Sequence, residues 1–206
     1  MSDKHKPAGT IRPLAVNDLN AIVAIHLQSF PSFFLTFLGP AFLRLLYDAM
    51  VKDTEGIVLV YERERAIQGF VAGVMRQSGF YRRLLQQRKW AFAWAAVGAI
   101  LRRPFIIPRL WHALKRSEDA AQAAAQACLM SIAILPATEG QGVGRLLVRA
   151  FCDELACRHV PAVCLTTDQI DNDRVNRFYI GLEFRIARTF VTPEGRAMNE
   201  YLLSLT

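Results

Sequence analysis

The chain has 206 residues, of which 52% are hydrophobic and 21% charged, with a net charge of +7. Such a length and balance exclude an intrinsically disordered chain and fit a single domain with room for one insertion. The charge is lopsided: eleven basic residues and no acidic one lie between Glu64 and Glu118, so the basic character belongs to one segment and not to the whole surface.

Residues 1–9 are polar, carry Pro and Gly, and hold no apolar run of the kind a signal peptide needs. They are expected to form a flexible tail ahead of one domain over 10–206. Thr10 to Pro13 reads as a short strand. Asn17 is placed to cap a helix whose apolar stripe is Leu19, Ile22, Val23, His26 and Phe30. A Phe-rich stretch, Phe30 to Gly39, leads through Pro40 into a second helix with Phe42, Leu43, Leu46 and Met50 on one face. Two strands are predicted next, Ile57 to Tyr61 and Ala66 to Met75, joined by a polar turn.

From 79 to 117 the pattern turns helical and basic, which predicts an insertion between the third and fourth strands. Cys128 to Ile134 is an apolar run ended by Pro136, as in a buried strand, and the loop Gly140-Gln141-Gly142-Val143-Gly144-Arg145 follows at once. Val143, Leu146, Leu147, Ala150, Phe151 and Leu155 then mark a helix by their spacing. Val163 to Thr167 is a strand; Val175, Phe178, Tyr179 and Leu182 mark a short helix. Phe184 to Val191 and Met198 to Leu205 are two closing strands around a turn at Pro193 to Arg196. Cys128, Cys152, Cys157 and Cys164 lie in apolar segments without the paired spacings of zinc ligands or a redox dithiol. Buried thiols and no metal are expected.

A strand that ends in a glycine-rich loop and continues as a helix aims several backbone N–H groups and the positive end of the helix dipole at one point, which suits a phosphate. Gly140, Gly142 and Gly144 would allow close approach and positive φ, and Arg145 could add a charge-assisted hydrogen bond. A dinucleotide site is the competing reading. It fails on register, because Leu147 stands where the third glycine of Gly-x-Gly-x-x-Gly would fall, and on position, because about 60 residues after the loop are too few for the remaining units of such a domain. A purely structural turn is the other alternative.

Two stretches carry a resemblance. Ser131-Ile132-Ala133-Ile134-Leu135-Pro136 through Gly144-Arg145-Leu146-Leu147 resembles the acetyl-CoA motif of the GNAT superfamily. Asn172-Asp173-Arg174-Val175-Asn176-Arg177-Phe178-Tyr179, with Leu182 and Phe184 after it, is similar to that family's second motif, an Asn-led helix ending in Phe-Tyr. The resemblance implies an α/β fold, a mixed and largely antiparallel seven-stranded sheet flanked by helices, and an acetyl-CoA-dependent N-acetyltransferase. It implies that Ile132, Ala133 and Ile134 line the pantetheine arm and that Gln141, Gly142, Val143, Gly144 and Arg145 hold the pyrophosphate. Asn172, Asn176 and Tyr179 complete the cofactor-binding set, the strands at Ile132 and Leu165 splay apart, and Tyr179 is the general acid that protonates the departing CoA thiolate. Two positions depart from the pattern: Glu139 stands where Arg or Gln usually opens the loop, and Glu183 replaces the common glycine before Phe184.

The acceptor side is less determined. His26 is the candidate general base, against the alternative of a packed core histidine; Asp168 and Glu200 are further candidates, against the reading of exposed carboxylates. Phe30, Phe33, Phe34 and Phe37 could line an acceptor pocket or plug the core. Trp90, Trp94, Val97 and Leu101, flanked by basic residues, suit contact with an anionic membrane surface but form a stretch too short to span a bilayer. A hairpin on the sheet or a homodimer contact are the alternatives, and no nucleic acid is expected because basic residues on apolar helices are not by themselves a recognition module. The acceptor is expected to be a primary amine of a small molecule, an amino sugar first, with a protein amine and a non-catalytic binding module as alternatives, in the cytoplasm or at the inner face of a membrane.

Overall fold

The structure is a computed structural model that describes residues 9–31, 33–77, 80, 83–84, 92, 127–193 and 195–205, the Phe34 side chain excepted. Its elements, in chain order, are β1 (Thr10–Pro13), α1 (Leu19–Ser29), α2 (Phe34–Phe37), α3 (Pro40–Lys52), β2 (Gly56–Arg63), β3 (Ala66–Val74), β4 (Ala127–Ile134), α4 (Val143–Cys157), β5 (Ala162–Asp168), α5 (Asp173–Ile180), β6 (Arg185–Val191) and β7 (Ala197–Ser204). The seven strands form one sheet in the order β1-β2-β3-β4-β5-β7-β6. Every pairing is antiparallel except β4 with β5.

Strand alternation sends side chains to two cores. On one face, α1 buries Leu19, Ile22, Val23, Ile25 and His26, and α3 buries Phe42, Leu43, Leu46, Tyr47 and Met50, against Val58, Val60, Phe70 and Ala72 of the sheet. On the other, α4 lays Val143, Leu147, Val148, Phe151 and Leu155 against Ile57, Val71, Leu129 and Val163. Each fully buried side chain of this size contributes about 1.5–3 kcal/mol of transfer free energy. The α4 face sits tight on the sheet: a Cβ at Gly73 would come within 2.4 Å of the Phe151 ring.

The first helix starts differently from the sequence expectation. Asn17 lies inside a 3-10 turn, Val16–Asp18, that precedes α1; α1 itself has no side-chain cap, and Asp18 closes the 3-10 turn by accepting from the Ala15 amide at 2.9 Å while Arg12 holds it at 2.6 Å. The cysteines also differ from expectation, since only Cys128 is buried; Cys152 and Cys164 are half-buried and Cys157 is exposed.

Most of 79–117, the segment expected to form a helical insertion, lies outside the described residues, Trp90, Trp94, Val97 and Leu101 included. Its described members, Phe80, Leu84 and Phe92, are buried in the core under α1 and α3, where Phe92 meets Phe42 edge-on with ring centroids 5.1 Å apart. Arg83 pairs with Asp53 and Glu55, and Arg76 with Glu55. At least this part of the basic segment answers to acids at the α3–β2 corner.

Candidate active-site slot and cofactor loop

The site begins with a break in the sheet. β4 and β5 pair only at Ala127↔Val163 and Cys128↔Cys164. Beyond that vertex each strand keeps its outer partner: β4 pairs with β3 up to Gly69↔Ile134, and β5 pairs with β7 up to Asp168↔Met198. A bulge contributes to the divergence. Ala72 opposes Ser131 and Gly73 opposes Leu129, so Met130 is the extra residue, and an extra residue bends and twists its strand. Ile132 and Leu165 therefore flank a slot, and the β4 edge that faces it offers backbone donors and acceptors to whatever lies there.

At the open end of β4 the chain makes a 3-10 turn, Pro136–Thr138, in which the Thr138 hydroxyl donates to the Leu135 carbonyl at 2.8 Å. Gly140 and Gly142 follow with φ of +75° and +81°. Both conformations disfavour residues with a Cβ, and the space where a Cβ would stand is open at each. Gly142 is the N-cap of α4, and the first helical hydrogen bond is Leu146 N–H to Gly142 C=O at 3.1 Å. The amides of Val143, Gly144 and Arg145 thus precede the helical ladder and point out of a 15-residue helix at its positive end. Gly144 is explained by neither expected reason: its φ is not positive, and a Cβ there would only touch the Phe178 ring at 3.5 Å.

Side chains around the loop are already engaged. Gln141 donates to the Ala137 carbonyl at 2.9 Å and accepts from Arg63 at 3.1 Å. Arg145 donates to the Gly181 carbonyl at 2.9 Å, tying α4 to the C-terminal cap of α5, where a cation meets the negative end of that helix. Glu139 accepts from Arg174 of α5 at 2.7 Å.

On the opposite wall, α5 is fixed to the splayed end of β5 by its two asparagines. Asn172 donates to the Thr167 hydroxyl at 2.6 Å and to the Asp168 carbonyl at 3.2 Å. Asn176 donates to that same carbonyl at 3.1 Å and accepts from Asn199 at 3.3 Å and from Tyr201 at 2.9 Å. These bonds place Tyr179, 5% exposed, among Phe178, Phe184 and Tyr201, with ring centroids 5.2, 5.6 and 5.9 Å away. Tyr179 shares a core cluster with Leu129 and Leu165, and with Ile132 and Ile134 packed against it. Burial raises its phenol above the ordinary range, because the charged phenolate would lose hydration. The group stays protonated across the physiological range.

His26 sits on the other face of the sheet and is fully buried. Its Nδ1 shares a hydrogen bond with the Tyr47 hydroxyl at 2.7 Å, its Nε2 has no partner, and Phe30 and Phe70 stack near it at 4.9 and 6.5 Å. Desolvation lowers its pKa from 6.5 to about 4, so the ring is neutral at pH 7. This arrangement supports the packed-core alternative for His26. Phe30 and Phe37 are half-buried against that core, whereas Phe33 is 40% exposed.

Of the two carboxylates considered, Asp168 is held by Arg196 in a two-pronged pair at 2.8 and 2.7 Å. Glu200 stands opposite Thr166, just past the vertex, and accepts two hydrogen bonds from Arg188 at 2.9 and 2.8 Å. Its side chain lies on the α1 and α3 face, since Tyr201 next to it packs in the opposite core. The structure also adds Arg63, Arg174, Asn199 and Tyr201 to the site. They come from elements up to 78 residues away in sequence from their partners, and no local spacing announces such contacts.

Comparison with known proteins bears on what this geometry serves. The acetyltransferase (GNAT) family model matches residues 19–184. No curated protein sequence matches the chain. Among solved structures, the chain is similar in fold to SsHAT at 21% identity and a TM-score of 0.68, covering 97% of this chain and 100% of that one. It is similar to the ribosomal-protein-S18-alanine N-acetyltransferase from Escherichia coli at 17% identity and a TM-score of 0.59, covering 96% and 94%. A third structure of the same fold is aminoglycoside 6'-N-acetyltransferase complexed with coenzyme A, at 12% identity and a TM-score of 0.61, covering 96% and 97%. The family match covers both the split between β4 and β5 and the glycine loop at its open end. The chain belongs to the GNAT family of acetyltransferases, enzymes that act with acetyl-CoA.

Proposed function

We propose that this enzyme transfers an acetyl group to a primary amine of a small molecule, by direct attack of the amine in a ternary complex, with Tyr179 as the general acid. The observation that carries the reading is the two-pair contact of β4 with β5, with Tyr179 of α5 buried in the same core cluster as Leu129 and Leu165 of those strands. Acetyl-CoA would supply the acetyl group as an activated thioester.

The protein's own groups divide the remaining work. The amides of Gly142, Val143, Gly144 and Arg145 would hold the pyrophosphate, aided by the α4 dipole. The slot edge of Ile132, Ala133 and Ile134 would bind the pantetheine arm as a strand binds its neighbour, and one of its amides would donate to the thioester oxygen as charge develops there. Tyr179 would present its proton toward the sulfur. Burial raises the Tyr179 phenol above its ordinary value, and the same desolvation would act on a thiolate departing beside it, so the proton can be shared as the C–S bond weakens. Asn172 and Asn176 act through position, by holding α5 against β5. Glu200 is the carboxylate best placed on the acceptor face to take the amine's proton, directly or through water.

No helix among the described residues is long and apolar enough to cross a membrane. The acceptor is a small-molecule amine in this reading, with an amino sugar as the first class to try. Release of free CoA thiol across a library of small amines, amino sugars and N-terminal peptides tests it. Turnover highest with a small amine supports the proposal; turnover confined to peptides would move the acceptor class to proteins, and none with any amine would leave a non-catalytic binding module.

A further inference from the structure

The one charge that fits a pyrophosphate site badly is Glu139, a carboxylate at the entrance of the glycine loop. Its surroundings show what it does. Glu139 Oε2 accepts from Arg174 Nη2 at 2.7 Å, and Arg174 lies in the first turn of α5, where a cation opposes the helix dipole. An arginine at a helix N-terminus is tolerable when an anion stands in front of it. Glu139 is such an anion, as is Asp173 in that same first turn, and Glu139 lies three residues ahead of the N-cap of α4. A second cation, Arg63, reaches the same loop from β2 and donates to Gln141 at 3.1 Å.

We infer, on the basis of the acetyl-CoA reading above, that Arg174 is a binding residue for the cofactor's phosphates and that Glu139 is an internal anion competing with those phosphates for it. The pyrophosphate as a whole offers more acceptor oxygens and more charge than a single carboxylate, so Arg174 exchanges partners when the cofactor enters. Both side chains have the exposure this exchange needs, at 77% for Arg174 and 43% for Glu139. The bridge spans from the β4–α4 loop to α5 and so crosses the mouth of the slot. Glu139 therefore sets cofactor affinity below what the loop alone would give, while keeping Arg174 in place.

Calorimetric titration of acetyl-CoA into the full-length protein, the variants Glu139→Gln and Arg174→Gln, and the double variant tests this. Arg174→Gln is expected to weaken binding about tenfold and Glu139→Gln to tighten it about threefold, in keeping with the strength of charge-assisted and exposed ion pairs. In the Arg174→Gln background the Glu139 substitution should change affinity by less than about twofold, since the contested cation is gone. Equal tightening in both backgrounds would make Glu139 a plain repulsive charge and overturn the inference, as would weaker binding by Glu139→Gln alone. S-acetyl-pantetheine, which lacks the pyrophosphate, should bind all four proteins with the same affinity; weaker binding to the Arg174→Gln proteins would overturn the phosphate role of Arg174. Failure of the unaltered protein to bind acetyl-CoA sinks the functional reading itself, whereas normal binding by every variant sinks only the roles of Arg174 and Glu139. Unchanged melting temperatures check that each variant is folded.

Discussion

The two faces of the sheet are built from similar apolar side chains, but they prepare for ligands in different ways. On the α4 and α5 face the candidate binding groups are mainly backbone: the amides at the start of α4, the edge of β4 beyond its two pairs with β5, and two glycines at positive φ. On the α1 and α3 face they are side chains, and the candidates there are either packed, as His26 is, or already paired, as Glu200 is with Arg188. Backbone chemistry is the same for any residue that permits the conformation, so a short motif can specify it. Side-chain recognition depends on which residues meet from distant parts of the chain.

That contrast predicts where substitutions act, and the largest effect belongs to the donor face. Tyr179→Phe should lower kcat by about 100-fold, the scale of general acid catalysis, while leaving the acetyl-CoA dissociation constant within about twofold. Steady-state kinetics with calorimetry separates the two quantities, and unchanged turnover would remove the proton-donor role. Gly142→Ala forces a Cβ onto a residue at φ +81°, a cost of roughly 1–2 kcal/mol. Acetyl-CoA affinity should fall by about tenfold, with little change in the KM for the amine.

The acceptor face should instead show itself in stability. His26 has its pKa lowered from 6.5 to about 4 in the fold, so the unfolded chain takes up a proton first as the pH drops. The stabilisation from the neutral ring is complete above pH 6.5 and is lost as the pH falls toward 4, amounting to about 2 kcal/mol between pH 7 and pH 5. Urea unfolding at those two pH values should show the loss in the unaltered protein and a smaller one in His26→Gln. An equal loss in both would assign the pH dependence to other groups. The smallest effect is expected at Glu183, which holds φ +69° in the turn after α5. Glu183→Gly should stabilise the protein by up to about 1 kcal/mol in thermal unfolding and leave turnover unchanged.

The same contrast explains how far the sequence could be read. The seven strands, the helix after the glycine loop and the Tyr179 helix followed from hydrophobic period and from glycine and proline punctuation, because each is specified within a window of about ten residues. The expected cap at Asn17 is absent: a 3-10 turn precedes α1, and its Asp18 is held by Arg12, which is itself held by Glu62 on β2, a contact that no local spacing announces. The roles of Asn172 and Asn176 had the same blind spot. As motif residues they point to the cofactor, and they also bond Thr167, Asp168 and Tyr201, partners that only the sheet order brings under α5. Thr36, whose hydroxyl donates to the Phe30 carbonyl at 2.6 Å, likewise shapes the Phe-rich segment without a signal in its spacing.

The central claim is that the slot between β4 and β5 receives the thioester, with its sulfur at Tyr179 and its pyrophosphate at the start of α4. A crystal structure of the protein with CoA tests it most directly. The account predicts the pyrophosphate within about 3 Å of the Val143, Gly144 and Arg145 amides and the sulfur within hydrogen-bonding reach of the Tyr179 hydroxyl. CoA lying outside the slot, or its sulfur on the far side of β4 from Tyr179, would contradict it.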